Sequence, residues 1–210
     1  MIVRKGDKLG QLLIETMASE GKTMAKVDGM IIFLQGGAPG DTVEAEVTKI
    51  KSSFLEGRVT AIQKISPHRA DPFCTHFGVC GGCSWQHINY ETQLFYKQKQ
   101  VVDNLERIGG LVLPAINQII PSAKTKHYRN RLDFTFSANR WLTPTEMTDG
   151  KTFGEPGLGF HIPRMYDKVF DVKECHLQPE PSNAIRLAVK EVAIRENIDF
   201  IIFSIHSIFS

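Results

Sequence analysis

The sequence predicts an α+β protein in two parts: a small β-barrel over residues 1–65, then an α+β domain over residues 66–198. Three observations carry that expectation. Residues 10–65 fall into short apolar runs separated by tight-turn residues, the pattern of a small barrel. Val43, Ala45 and Val47 alternate with Glu44, Glu46 and Thr48, as in a strand with one wet face. Beyond the barrel, Cys74, Cys80 and Cys83 crowd together and Cys175 follows about 90 residues later, so the second part reads as a domain pinned by thiols at two distant points.

The elements follow in order. Leu12 to Thr16 is a first strand, and Met24–Val27 and Met30–Leu34 flank Asp28-Gly29, a hairpin turn signal. Gly36 to Asp41 is a loop. The alternating strand at Val43 and another over Leu55–Ile65 complete a set of five, and Ser66-Pro67-His68-Arg69 ends the barrel. After the cysteine loop a helix places Leu94, Val101, Leu105 and Ile108 on one face, with Lys97, Lys99 and Asp103 elsewhere and a stop at Gly109-Gly110. From Tyr128 onward strands return, with Leu132, Phe134 and Phe136 alternating with Asp133 and Thr135, then Gly157–Phe160 and Val169–Val172. Ser182 reads as the N-cap of a last helix whose apolar face is Ile185, Ala188, Val189, Val192 and Ala193. The run from Gly154 to Gly159 is not G-x-G-x-x-G and no helix pattern follows it, so it reads as an ordinary turn. Residues 199–210, an uncharged stretch of Ile, Phe and Ser after Asp199, form an atypical end, as from a truncated or frame-shifted reading of a longer protein.

Of the 210 residues, 42% are hydrophobic, enough to bury a core and too many for a disordered tail. No apolar run approaches the ~20 residues of a membrane helix, and Met1–Lys8 lacks the apolar segment of a signal peptide. A cytoplasmic protein without a membrane partner is expected. Disulfides rarely persist in that compartment, so the cysteines read as metal-binding or catalytic. The net charge of +2 says little by itself. Its distribution says more. Lys49, Lys51, Arg58, Lys64 and Arg69 face only Glu56 in residues 49–70, and Lys124, Lys126, Arg129, Arg131 and Arg140 face only Asp133 in residues 124–140. Two basic patches on a near-neutral chain suit a phosphate-bearing partner; a pair of solvated strand faces is the plainer alternative. In Tyr128-Arg-Asn-Arg131 the guanidiniums stand beside aromatics at a strand start, where they can clamp phosphates and stack on bases; Phe134 and Phe136 read as core.

Gly81 and Gly82 allow the sharp turn that points Cys80 and Cys83 at one centre, and they bring amide N–H groups near the sulfurs. Three local ligands, one remote ligand and no second short-spaced pair fit iron–sulfur ligation better than a zinc ribbon, with zinc and reduced structural cysteines the other readings. His76, His87 and His176 lie near the ligands in sequence and could replace one, although each also fits the role of a polar neighbour. Cys175 could instead be a nucleophile, but Asp171 and Glu174 nearby would raise its pKa.

Cys74-x5-Cys80-Gly-Gly-Cys83-x2-Gln86-His87, with Tyr90 and Gln98-Lys99, resembles the iron–sulfur motif of bacterial RNA (uracil-5-)-methyltransferases, in particular the 23S ribosomal RNA branch. Tyr128-Arg-Asn-Arg131 and Gly159-Phe160 leading to Asp171-Val-x-x-Cys175 resemble the central domain of that family. Ala18-x-Glu20-Gly21-Lys22, Ala25–Gly29 and Pro39-Gly40-Asp41 resemble its TRAM domain, an OB-like RNA-binding barrel. The resemblance covers roughly residues 10–198. It implies a [4Fe–4S] cluster on Cys74, Cys80, Cys83 and Cys175 and 23S ribosomal RNA as partner; the RNA contacts expected from the basic patches are Lys49, Lys51, Arg58, Arg129 and Arg131. It also implies that S-adenosylmethionine, the nucleophilic cysteine and the general base belong to a transfer domain without a counterpart in this sequence. No catalytic residue is therefore assigned, and whether the chain alone is an enzyme stays open. A stand-alone RNA-binding module and a zinc-stapled structural protein are the competing readings.

Overall fold

The computed structural model describes residues 3–152, 154–163, 165–198 and 204–208. The chain forms two compact units, Met1–Pro72 with Trp85–Pro121, and Phe73–Ser84 with Ser122–Ser210. The short stretch carrying Cys74, Cys80 and Cys83 thus leaves the first unit, joins the second, and the chain returns at Trp85.

The first unit is built on a six-stranded sheet of β1 (Lys8–Leu13), β2 (Thr16–Met17), β3 (Thr23–Val27), β4 (Met30–Gln35), β5 (Thr42–Ile50) and β6 (Phe54–Lys64). The spatial order is β1-β5-β6-β4-β3-β2, antiparallel except for the parallel pair β4/β6. Its two edge strands, β1 and β2, are separated by two residues of one continuous segment, and Glu15 N–H donates to the Met24 carbonyl of β3 at 2.8 Å. The sheet therefore curls back on itself, as a barrel must to remove its edges. The alternation read at Val43 holds: Val43, Ala45 and Val47 are fully buried with Ile32 and Leu34. The Asp28-Gly29 hairpin also holds, with φ of 46° and 80°, the double left-handed turn that matches strand twist. The count of five strands was one short, because the first expected strand, Leu12–Thr16, is split between β1 and β2.

The turn between β4 and β5 is locked by a buried carboxylate. Asp41 Oδ2 accepts from Ala38 N–H at 2.6 Å, and Oδ1 accepts from Ser66 N–H at 2.8 Å. The Arg69 guanidinium donates to both oxygens, at 2.7–3.0 Å. Ser66 Oγ in turn donates to the Pro39 carbonyl at 2.6 Å.

Helix α1 (Tyr90–Asp103) follows, continuing into a π turn at Asn104–Ile108 that Gly109 closes. The apolar face expected for it is not its packing face. Thr92 is its buried residue, while Val101, Leu105 and Ile108 are exposed. Polar groups anchor it instead. Asn89 caps the Thr92 N–H, Thr92 Oγ1 meets His68 Nδ1 at 3.1 Å, and the Gln93 amide donates to the Trp85 and Ile88 carbonyls. Gln98 bonds the backbone at Asn117 and Ile119.

The second unit carries β7 (Arg131–Ser137), α2 (Pro144–Thr148), β8 (Gly157–Ile162), β9 (Met165–Asp171), α3 (Ser182–Arg195) and β10 (Ser204–Ile208). Its antiparallel sheet runs β10-β7-β8-β9. Leu132, Phe134 and Phe136 are core, as expected. Gly157–Phe160 lie inside β8, as the strand reading expects and against the turn reading of Gly154–Gly159, because Leu158 and Ile162 face the same core. Of residues 199–210, 199–203 and 209–210 lie outside the described residues; 204–208 form β10, an element absent from the sequence reading. Among the described residues no helix is long and apolar enough to cross a membrane.

The last helix buries only Ala193 of its expected face. Ile185, Val189 and Val192 remain 44%, 37% and 42% exposed, and the helix buries Ser182, Asn183, Arg186 and Ala193. Pro181 holds the N-cap position, and Ser182 Oγ is turned to Gln178 Oε1 at 2.5 Å. The reason is that residues 172–175 run as an irregular segment whose carbonyls at Val172, Lys173 and Cys175 need donors, and α3 supplies them from its polar side.

Burial alone would raise the Asp41 carboxyl, but hydrogen bonds from Arg69, Ser66 and Ala38 outweigh it and hold the group below its ordinary value of 3.8. A carboxyl lowered in the folded state contributes fully above the unfolded value and loses that contribution as pH falls through the folded one. Asp41→Ala is expected to cost about 3 kcal/mol, as when one partner of a buried pair is removed. Urea unfolding at neutral pH measures the loss, and the gap between variant and parent should narrow below pH 3.8. Equal urea midpoints at neutral pH would contradict the assignment.

Candidate metal centre and RNA-facing residues

All four cysteines belong to the second unit. Cys175 is buried in its core beside Leu177 and Ala193, and Cys80 and Cys83 pack against the same cluster. None is in a disulfide. The local turns are tight: Phe77 N–H donates to the Cys74 carbonyl and Cys80 N–H to the His76 carbonyl, at 3.1 and 2.9 Å. Gly82 N–H then points at Cys80 Sγ at 3.4 Å, the amide-to-sulfur approach expected of the two glycines. At Gly81 the need for glycine is steric, since a Cβ there would lie 2.3 Å from the His161 carbonyl oxygen.

Cys175 is held by its backbone. Its N–H donates to Asn183 Oδ1 at 2.9 Å, and the Asn183 amide returns a bond to the Cys175 carbonyl at 3.1 Å and another to Glu180 at 3.0 Å. One side chain of α3 thus fixes where this thiol can point.

The thiols sense one another. Burial pushes the Cys80 thiol up to about 11, with Cys175, Cys83 and Cys74 adding to the rise and the Gly82 amide opposing it. Burial likewise raises Cys175, against the Leu177 amide, with Cys83 and Cys74 contributing. The neighbouring carboxylates are not the cause: Asp171 is bonded to Lys190 at 2.7 and 2.8 Å. A thiol raised in this way is a poor nucleophile, and it becomes a good ligand when a cation replaces its proton. In number and chemistry the donors fit a thiolate-bound centre. Among the described residues, however, no group of three His, Cys, Asp or Glu side chains is arranged so that it could hold a metal ion.

The histidines divide. His87 lies in the first unit, its Nε2 2.7 Å from the Gly37 carbonyl oxygen. His76 is buried against the Phe170 ring at 5.2 Å, and His176 stands 3.5 Å from Glu174.

The basic residues also divide. Lys49 and Lys51 are exposed at the end of β5. Arg58 is exposed, but its guanidinium is bonded to Glu46 at 2.8 and 3.3 Å. Arg69 is bound to Asp41, so it belongs to the fold of the first unit rather than to a surface patch. In the second unit Arg129 and Arg131 are exposed, with Arg131 3.4 Å from Asp133, and Lys126 lies 4.3 Å from the Phe73 ring centroid. Arg140 is buried and paired with Glu146 and Glu155 at 3.0 and 2.8 Å, which removes it from the patch it occupies in sequence.

A cleft of about 400 Å³ in the first unit was not legible beforehand. It is lined by Phe33, Phe54 and Tyr96, with Lys22 and Lys99 opposite Glu20, Glu56 and Asp103. The two phenylalanine rings meet edge to face at 5.4 Å. Lys22 and Lys99 are already paired with Glu20 and Asp103, so the cleft presents no surplus of positive charge.

Residues 11–60 match the TRAM domain family. The chain is 46% identical over 187 residues to an uncharacterized RNA methyltransferase of Porphyromonas gingivalis, covering 87% of this chain and 40% of that protein. It is 34% identical over 195 residues to the 23S rRNA (uracil(1939)-C(5))-methyltransferase of Nitrosospira multiformis, covering 89% and 40%. Among solved structures it is similar to the tRNA (uracil-54, C5)-methyltransferase of Pyrococcus abyssi in complex with S-adenosyl-L-homocysteine, with a TM-score of 0.53 at 25% identity over 90% of this chain and 37% of that one. The chain thus spans about 40% of the length of the curated relatives it matches. It is a mixed α+β chain with a TRAM domain at its N-terminal side and similarity to RNA methyltransferases throughout most of its length.

The close approach at Gly81 gives a direct test. Gly81→Ala forces a Cβ against a backbone carbonyl that a rotamer change cannot move. It is expected to destabilise the second unit by about 2 kcal/mol, the scale of overpacking. Thermal unfolding of variant and parent, both free of metal, measures it; equal midpoints would show that the segment has room to shift.

Proposed function

We propose that this chain is the RNA-binding and iron–sulfur portion of an S-adenosylmethionine-dependent 23S rRNA (uracil-5-)-methyltransferase working in the cytoplasm. The observation that carries the reading is the similarity to RNA methyltransferases over 87% of the chain, running through the barrel and all four cysteines. In it the barrel of residues 1–65 grips RNA, and residues 66–198 hold a [4Fe–4S] cluster on Cys74, Cys80, Cys83 and Cys175. Four thiols in one apolar unit, with amides directed at Cys80 and Cys175, support that assignment. The cluster, when bound, supplies a cross-link between the short segment after Phe73 and the distant Cys175.

The residues of this chain bind and orient. Lys49 and Lys51 on the first unit and Arg129 and Arg131 on the second offer exposed cations to phosphates. Arg58 joins them by exchanging the Glu46 carboxylate for a phosphate oxygen. A uridine that reacts at C5 must leave its stack, so a grip on flanking single-stranded RNA holds the target where it can be presented. The methyl donor and the reacting groups are assigned no residue here.

Two outcomes test this. Affinity for a ribosomal RNA fragment should fall steeply with salt, and replacing Lys49 and Lys51 with alanine should flatten the log–log slope by roughly 1.5, the loss of two phosphate contacts to single-stranded RNA. A slope untouched by the double substitution would place the grip elsewhere. Protein purified without oxygen should absorb near 400 nm and carry about four irons, and Cys175→Ala should lose both. Stoichiometric zinc without iron would replace the cluster with a zinc staple.

A further inference from the structure

The second unit buries a cation to which no carboxylate among the described residues is bonded. Arg186 of α3 is 5% exposed. Its Nη1 donates to the Val172 carbonyl, and its Nη2 donates to the Lys173 carbonyl at 2.9 Å and to Asn183 Oδ1 at 3.5 Å. Its Cζ lies 5.2 Å from the Phe134 ring centroid, and its Nε is buried without a hydrogen-bond partner. No carboxylate among the described residues forms an ion pair with it, and Asp171 is taken by Lys190. The contrast is Arg140, equally buried, which has two glutamates. Carbonyl dipoles and a ring face solvate a guanidinium but leave its charge uncancelled, and an arginine cannot shed its proton to escape the cost.

The polypeptide that Arg186 grips leads into the thiols. Val172 and Lys173 lie just before Cys175, and Asn183, one turn earlier on α3, clamps the Cys175 backbone and accepts from Arg186. Four thiolates around zinc, or around an oxidised cubane, make a dianion. We propose that Arg186 is the buried counter-charge of a tetrathiolate metal centre formed by Cys74, Cys80, Cys83 and Cys175. This rests on the thiolate-centre reading above and holds for either metal, because both centres carry the same charge. Burial pulls the Arg186 pKa down, and Asp171, then Cys175 and Glu180, push it back. Arg186 does not touch the metal in this account; it positions Cys175 and balances the charge.

A counter-charge has a signature that a tether lacks. With metal bound, losing the cation leaves a buried dianion uncompensated. Without metal there is no dianion to balance, and losing the cation relieves a cost. The test loads the full chain anaerobically, one arm with ferrous iron and sulfide, the other with zinc, and follows metal release to a strong chelator and thermal unfolding with and without metal. Arg186→Met should release metal about tenfold faster than the parent. Its unfolding temperature should fall when loaded and stay level or rise when metal-free. Equal losses in both states would reduce Arg186 to a carbonyl tether and overturn the proposal, as would release at the parental rate. If Arg186→Met does not fold, Arg186→Lys and Arg186→Gln decide. The lysine keeps the charge and the glutamine keeps only donors, so retention must be better with lysine; equal or better retention with glutamine overturns it. Failure of the parent chain to take up either metal would remove the centre itself, and the counter-charge with it.

Discussion

Asp41 has no exposed surface, and its two oxygens accept from two separate stretches of chain, one at Ala38 and one carrying Ser66 and Arg69. A carboxylate in that position is costly unless every lone pair is used, and here the acceptors are filled by two amides and a guanidinium fork. The geometry ties the loop that feeds β5 to the segment that leaves β6. That segment continues through His68 to Thr92 of α1, and through Ala70 N–H to the His87 carbonyl at 3.1 Å. The departure of the chain at Pro72 and its return at Trp85 are therefore both fastened to one buried charge, and the excursion between them carries three of the four cysteines.

The second unit repeats that logic with different groups. Its sheet buries phenylalanine and leucine in the usual way, but in the stretch from Val172 to Cys175 the carbonyls of Val172, Lys173 and Cys175 are taken by side chains of α3, while His176 and Leu177 accept from the backbone of His127 and Arg129. Asn183 and Arg186 are the means. A helix that packs by its polar face gives up hydrophobic burial, and it gains directional control over one particular backbone segment. The segment so controlled contains Cys175, whose backbone Asn183 holds at both its N–H and its carbonyl.

What was legible in the sequence follows from this. Val43 to Val47 and Leu132 to Phe136 announce themselves because a period of two in a half-buried strand has one physical cause. The Asp28-Gly29 turn is legible because so few residue pairs accept two positive φ angles. The helices were misread because periodicity reports which residues share a face, not which face finds a partner; α1 and α3 are both fastened by amides, hydroxyls and a guanidinium. Arg69 and Arg140 look like members of basic patches in one dimension, and only the fold reveals their carboxylates. The packing of Cys80 and Cys83 against the core that holds Cys175 is visible only in the fold, and Asn183, which bonds the Cys175 backbone, and Arg186, which bonds the carbonyls before it, carry no motif. A polar residue at the i and i+3 positions of a helix that opens just after a lone cysteine is the faint signal that was available.

The separation of the trio from Cys175 also sets an order of events during synthesis. About ninety residues lie between Cys83 and Cys175, so at roughly 5–20 residues per second the first three thiols wait several seconds for the fourth. Throughout that interval the segment after Phe73 has emerged without the strands and helix that later cover it. The barrel, whose strands are contiguous in the chain, can close in the meantime and hold both ends of the loop. The growing polypeptide thus presents three unsealed thiols on a tethered arc to whatever metal carrier or oxidant reaches them first.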